Sequence, residues 1–197
     1  MKGSLIIVGF FVLGTICGVC HLLPFDIAET NISYYALCAL MFSVGLSVGN
    51  DPQTLKNFRS LNPRLVFLPI MTILGTPAGV SLILTHRSIT DCLAVGSGFG
   101  YYSLSSIFIT EYKGAELGTI ALLANISREI LTLLAAPLLV RWFGNLAPIS
   151  AGGATTMDTT LPIITRTAGQ QFVVVSIFHG FVVDFSVPFL VTLFCSI

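Results

Sequence analysis

Long apolar stretches alternate with short polar ones along the chain. Three of them, residues 4–23, 65–85 and 172–195, approach the ~20 residues that an α-helix needs to cross the hydrocarbon core of a bilayer. Hydropathy divides the chain into seven hydrophobic segments, at about residues 3–23, 32–49, 65–85, 92–110, 117–141, 147–166 and 170–196. The pattern predicts an all-α integral membrane protein in which residues 1–197 form a single transmembrane domain.

Composition agrees with the pattern of segments. Hydrophobic residues make up 54% of the chain and charged residues only 9%, against about 25% charged in soluble domains. The formal net charge is zero, which suggests no nucleic-acid partner. The loop between the second and third segments carries Lys56, Arg59 and Arg64, whereas the loop 24–31 carries Asp26 and Glu29 without a base. The positive-inside rule therefore places the N-terminus and the loop 51–64 in the cytoplasm.

Glycine and hydroxyl residues interrupt the fourth and sixth segments. The interruptions are Gly96–Ser103 and Gly152–Thr160. Unwound backbone is tolerated at membrane depth only where protein buries it or where it lines a wet cavity. We therefore expect two broken or re-entrant segments beside a polar pathway. Glycine used only for close helix packing is the alternative.

A weak internal repeat with an offset of 55 residues relates these two regions. The matching positions carry a glycine or an acid: Gly98 with Gly153, Gly114 with Gly169, and Glu129 with Asp184. Each unit would contain a broken polar helix, a turn with glycine, and a full helix with an acid in its middle. Chance similarity between apolar segments explains so few identities equally well.

Four of the eighteen charged residues fall inside hydrophobic segments: Arg128, Glu129, Asp158 and Asp184. A charge at the bilayer centre costs about 2.5–3.5 kcal/mol on insertion scales, so such residues face the protein interior or water and are functional candidates. Three acids against one base leave a formal excess of two negative charges. That excess suits a cationic substrate or a coupling cation.

The fifth segment presents a polar face. Asn125, Glu129 and Thr132 recur at helical spacing and share this face, with Arg128 beside it, so we expect the face to line the pathway. An ion pair of Arg128 or Glu129 that only joins helices is the alternative. The substrate carboxylate is expected at the positive end of a half-helix in one of the broken segments, with Arg128 as the competing candidate.

Neutral groups of the fourth segment and one further acid complete the set of candidates. Tyr102 and Ser103 can offer hydrogen bonds to a substrate, although a polar helix contact would contain the same residues. Asp184 is a candidate because of its depth in the last segment, and this leaves a purely structural role open.

Together these motifs resemble the LysO lysine-exporter family. The resemblance rests on residues 96–106, on Asn125 with Arg128-Glu129, on residues 152–162 with Arg166-Thr167, and on residues 179–181. It implies export of L-lysine and the analogue thialysine across the bacterial inner membrane, in exchange for protons. It also implies that the acids associated with transport are Glu129 and Asp158, and that no cofactor or metal takes part.

The resemblance has a gap at its N-terminal side, where single-chain members carry an extra membrane portion. It therefore implies the C-terminal part of a split exporter. The partner would be a small membrane protein that supplies the remaining helices, and a homodimer is the rival arrangement. Two other functions are alternatives: a scaffold subunit that does not transport, and an intramembrane hydrolase. The hydrolase is disfavoured because Gly96-Ser97-Gly98 lacks the spacing of a nucleophile elbow.

Overall fold

The computed structural model describes residues 63–83 and 87–197, together with isolated positions between residues 9 and 46. The first two predicted segments, 3–23 and 32–49, lie outside the described residues except for those positions. Every regular element of residues 63–83 and 87–197 is helical, so the all-α prediction is confirmed for this part of the chain.

Three long helices dominate the described residues. They are α1 (Leu68–Ile83), which follows a 3-10 turn at Pro63–Phe67, α4 (Ala115–Phe143), and α7 (Val173–Ser196), which follows a 3-10 turn at Gln170–Phe172. In this part of the chain, three stretches are long and apolar enough to cross a membrane: Pro63–Leu82, Ala115–Phe143 and Gln170–Ser196. They correspond to the third, fifth and seventh predicted segments.

The fourth predicted segment is a helical hairpin, called hairpin 1 below. Its arms are α2 (Ile89–Gly96) and α3 (Tyr102–Lys113), and residues 97–101 form its tip. An ion pair of 3.8 Å joins Asp91, near the start of α2, to Lys113 at the end of α3. Both ends of the segment therefore lie on the same side, and the chain turns back at the tip.

The sixth predicted segment folds back in the same way and is called hairpin 2. It consists of α5 (Ala147–Gly152), a 3-10 turn (Gly153–Met157) and α6 (Leu161–Ala168), and residues 153–160 form its tip. The residues at its two ends pack in one apolar cluster: Leu146 and Ile149 at the entry, with Ala168 and Phe172 at the exit. This cluster also contains Val140 near the end of α4, so hairpin 2 begins at the end of the molecule opposite to hairpin 1.

The tips of the two hairpins meet in the middle of the molecule. The backbone N–H of Ala154 donates to the carbonyl oxygen of Phe99 over 2.9 Å. At Gly153 φ is +64°, and a Cβ there would strike the Phe99 carbonyl oxygen. A side chain at position 153 would thus separate the tips, which explains the glycine.

The long helices alternate in direction between the two hairpins. The end of α7, at Cys195, packs in the same apolar cluster as Ile109 and Leu117 near the open end of hairpin 1. The start of α1, at Leu65 and Leu68, packs against the cluster at the open end of hairpin 2. The hairpins therefore enter the bundle from opposite ends, and α4 and α7 run in opposite directions.

Candidate functional site

A cavity of about 230 Å³ lies where the two hairpin tips meet. Five of the residues predicted from the sequence line it: Tyr102, Ser103, Glu129, Asp158 and Asp184. They come from α3, α4, the tip of hairpin 2, and α7, so the fold brings together acids that are far apart in the chain. This cavity is the candidate substrate site.

Among the described residues that line the cavity, Glu129, Asp158 and Asp184 are the charged ones, and none is a base. Asp158 interacts electrostatically with Glu129 and also with Asp184. The salt bridges found within residues 63–83 and 87–197 join Arg87 to Glu116 and Lys113 to Asp91, and none involves a cavity acid. Unpaired carboxylates in a partly buried site favour the entry of a cation.

Local hydrogen bonds hold the carboxylate of Asp158 in position. Its Oδ1 accepts from the backbone N–H of Thr159 over 2.5 Å and from the Thr159 hydroxyl over 3.4 Å. Both hydrogen bonds described for the Asp158 carboxylate use Oδ1, so Oδ2 is the oxygen best placed to bind a ligand.

Asn125 and Glu129 are one helical turn apart but make different contacts. Asn125 is buried, and its Oδ1 accepts from the backbone N–H of Gly100 over 2.7 Å. Its Nδ2 donates to the Ala121 carbonyl and to the Ser105 hydroxyl. Asn125 thus joins the tip of hairpin 1 to α4, behind the cavity that Glu129 lines. That Asn125 is a substrate ligand stays a prediction, and its amide is engaged in these hydrogen bonds.

Arg128 lies on the side of α4 away from the cavity. Its Nε donates to the Ala151 carbonyl over 2.6 Å and its Nη2 to the Ser150 carbonyl over 2.8 Å. Nη1 reaches the Thr76 hydroxyl at 3.4 Å, and the guanidinium lies 6.0 Å from the ring centroid of Phe99. Arg128 therefore binds the last turn of α5 to α4 and α1. Its prediction as a substrate ligand is untested, but these donors already have acceptors.

His179 links three elements behind the tip of hairpin 2. The side chain is fully buried, its Nε2 lies 2.9 Å from the Thr72 hydroxyl, and its Nδ1 lies 3.3 Å from the Thr156 hydroxyl. The Thr156 hydroxyl also donates to the carbonyls of Gly153 and Ser176. His179 thus fixes the tip against α1 and α7, as a hydrogen-bonded packing residue does.

Six further residues line the cavity: Gly100, Tyr101, Ala154, Thr155, Met157 and Thr159. They belong to the interruptions at residues 96–103 and 152–160, which the sequence marks only as a whole. Applied residue by residue, the offset of 55 would have matched Met157 with Tyr102 and Asp158 with Ser103.

Three long apolar helices, two opposed hairpins and a central acidic cavity fit the class of multi-pass membrane proteins with a polar site between their helices. The comparisons with known proteins identify the family. The family model "Lysine exporter LysO" matches residues 8–195, and the chain belongs to this family. The intramembrane hydrolase is thereby excluded.

Two relatives have bacterial sources. "Lysine exporter LysO" of Escherichia coli K12 is 35% identical over 195 residues, which cover 98% of this chain and 64% of the relative. "Putative lysine exporter" of Haemophilus influenzae is 35% identical over 194 residues, which cover 98% of this chain and 96% of the relative. No solved structure matches the chain. The chain thus spans slightly less than two thirds of the E. coli relative.

Proposed function

We propose that this chain exports L-lysine, together with the analogue thialysine, from the bacterial cytoplasm in exchange for protons. The observation that carries the proposal is the cavity itself, in which Glu129, Asp158 and Asp184 meet without a base among the described lining residues. Lysine carries one net positive charge, which such a cavity attracts. The relatives, both named as lysine exporters, support the choice of this cation.

Proton exchange would solve the energetic problem of exporting a cation. Outward movement of one positive charge against an inside-negative potential costs about 2.3 kcal/mol per 100 mV, and inward movement of a proton offsets that cost. Glu129 and Asp158 can each hold either a proton or a substrate ammonium group. Competition for the same carboxylates makes the two movements alternate, which is antiport.

The first turn of α3 is the binding place we assign to the substrate carboxylate. Tyr102 and Ser103, the first residues of α3, line the cavity, and no side chain caps this end of the helix. N–H groups of a first helical turn lack intrahelical acceptors, and the helix dipole makes this end positive. Arg128, the competing candidate, has its donors engaged with carbonyls.

The charges at the two ends of the bundle support an orientation in the membrane. At the open end of hairpin 2 the charged residues among the described ones are bases: Arg64, Arg141 and Arg166. At the open end of hairpin 1 bases and acids are mixed: Arg87, Asp91, Glu111, Lys113 and Glu116. The positive-inside rule then puts the open end of hairpin 2 in the cytoplasm. This agrees with the cytoplasmic location predicted for the loop 51–64.

The proposal includes a partner. Because the chain spans 64% of the E. coli relative, we propose that helices beyond this sequence complete the transporter. A separate small membrane protein would supply them, and a second copy of this chain is the rival. A cavity with three acids has to be separated from lipid on every side, which gives such helices a physical purpose.

Radiolabelled lysine uptake into inside-out vesicles, with and without a pH gradient, tests the function. We expect gradient-dependent uptake that Glu129→Gln and Asp158→Asn each abolish. Loss of a buried charge partner costs about 2–5 kcal/mol, which is roughly 30-fold or more in affinity. Glu111→Gln is the matched control, because Glu111 is an exposed carboxylate of α3 outside the cavity.

Three results would count against the proposal. Wild-type uptake that ignores the pH gradient would remove the proton from the mechanism. Normal transport by Glu129→Gln or Asp158→Asn at equal membrane abundance would show that the acids are misassigned. No uptake by the wild-type chain, either alone or with its partner, would favour the scaffold subunit.

A further inference from the structure

The weak repeat in the sequence coincides with a repeat in the fold. Hairpin 1 followed by α4, and hairpin 2 followed by α7, are the same order of elements entered from opposite ends of the bundle. Gly114 and Gly169, matched at the offset of 55, end the two hairpins in nearly the same backbone conformation, with φ/ψ of 94°/165° and 114°/155°. The two units thus correspond in register as well as in order, and their directions are inverted.

The candidate cavity lies between matched residues of the two units. Four pairs at the offset of 55 line it: Gly100 with Thr155, Tyr102 with Met157, Ser103 with Asp158, and Glu129 with Asp184. The hydrogen bond between the hairpin tips also joins a matched pair, Phe99 and Ala154. A pseudo-twofold axis therefore passes through the tips and the cavity. Such an axis requires that both units contribute residues to the walls of the cavity.

One charge breaks this symmetry. Glu129 and Asp184 put a carboxylate at the same position of each unit. Asp158 on hairpin 2, in contrast, is matched at the offset of 55 by a serine of hairpin 1, Ser103. Asp158 interacts electrostatically with both Glu129 and Asp184. A carboxylate at position 103 would line the same cavity.

We propose that the cavity is a pseudo-twofold binding site for a cation with ammonium groups at both ends. In this site Glu129 and Asp184 are equivalent ligands, and the third carboxylate acts from either hairpin. The inference rests on the proposed export of lysine, which has two such ammonium groups. Asp184 becomes a binding residue equal in importance to Glu129. Position 103 becomes a second position from which a carboxylate can complete the site.

Transfer of the third acid between hairpins tests the inference. Asp158→Ser should lose gradient-driven lysine uptake by roughly 30-fold or more. The double variant Ser103→Asp/Asp158→Ser should recover most of the binding of the decarboxylated lysine analogue, which has an ammonium group at each end and no carboxylate that the new acid at the start of α3 could repel. The control, Ser106→Asp/Asp158→Ser, carries the acid one turn further along α3, where Ser106 does not line the cavity, and should not recover this binding. Immunoblots of the membranes establish equal abundance.

The outcomes separate this inference from the proposed function. A double variant that inserts normally and binds the decarboxylated analogue no better than Asp158→Ser overturns the pseudo-twofold site and leaves lysine export intact. Recovery in the Ser106 control would likewise overturn it, because any nearby acid would then suffice. A wild-type chain that takes up no lysine contradicts the proposed function instead.

A second measurement does not depend on the double variant. The variant Ser103→Cys keeps all three acids. Lysine should slow the alkylation of this cysteine by a charged maleimide, measured after the labelling of the wild-type chain has been subtracted. Ile107→Cys, exposed on α3 and outside the cavity, should show no protection. Asp184→Asn should weaken protection as much as Glu129→Gln does. Protection that Glu129→Gln weakens and Asp184→Asn leaves unchanged would overturn the inference.

Discussion

Replacement of Arg128 by glutamine distinguishes a structural arginine from a substrate ligand. The guanidinium donates to two carbonyls in the last turn of α5, at 2.6 and 2.8 Å, and approaches a hydroxyl of α1. Glutamine is shorter and uncharged, and its amide can replace at most one of these bonds. We therefore expect Arg128→Gln to destabilise the fold while substrate selectivity is kept.

The size of the effect follows from the bonds that are lost. Hydrogen bonds to a charged group contribute about 1.5–3 kcal/mol each, so loss of both carbonyl contacts costs about 3–6 kcal/mol. One neutral bond from the glutamine amide restores about 1 kcal/mol, which leaves a loss of about 2–5 kcal/mol. For a protein of this size each kcal/mol lowers Tm by about 2–4 °C. The expected fall in Tm is about 4–20 °C.

The assay combines stability with selectivity. Thermal unfolding of the detergent-solubilised protein gives Tm, and competition by a decarboxylated lysine analogue measures recognition of the substrate carboxylate. We expect a lower Tm and an unchanged ratio of lysine to analogue affinity in the protein that remains folded. A variant with wild-type Tm that no longer discriminates between the two compounds would refute the reasoning and make Arg128 the carboxylate ligand.

Two predictions concern the whole assembly. The C-terminal residue Ile197 is expected on the outer side of the membrane, because α7 ends at the mixed-charge end of the bundle. A C-terminal cysteine tag should therefore react with an impermeant reagent in intact cells. Labelling that occurs only after lysis would reverse the orientation. The chain alone should give an exporter-deficient strain little thialysine resistance, and coexpression of the neighbouring membrane-protein reading frame should give full resistance; full resistance from this chain alone would exclude the need for a partner.

The helices and the acids were predictable because their signals are local. Run length and hydropathy find the spans that became α1, α4 and α7, and the cost of a charge at membrane depth selects Arg128, Glu129, Asp158 and Asp184. Glycine-rich interruptions locate the two hairpin tips. These features depend on neighbours in the sequence, so they need no knowledge of the fold.

The return of each interrupted segment could not be predicted in the same way. Hydropathy is identical for a chain that crosses and for one that turns back. The decision depends on contacts such as Asp91 with Lys113, which are distant in the sequence. The neighbouring residues Arg128 and Glu129 present a similar case: helical geometry separates their directions by about 100°. The position of α5 determines that Arg128 binds neighbouring helices to one another while Glu129 lines the cavity.

The bond between the hairpin tips has a consequence for how freely this region can vary. Donor and acceptor are both main-chain atoms, the N–H of Ala154 and the carbonyl of Phe99, so exchange of either side chain leaves the bond in place. Gly153 differs, because only a residue without a Cβ allows the carbonyl to approach. We expect position 153 to stay glycine among natural variants, so that this residue marks the crossing point of the two hairpins.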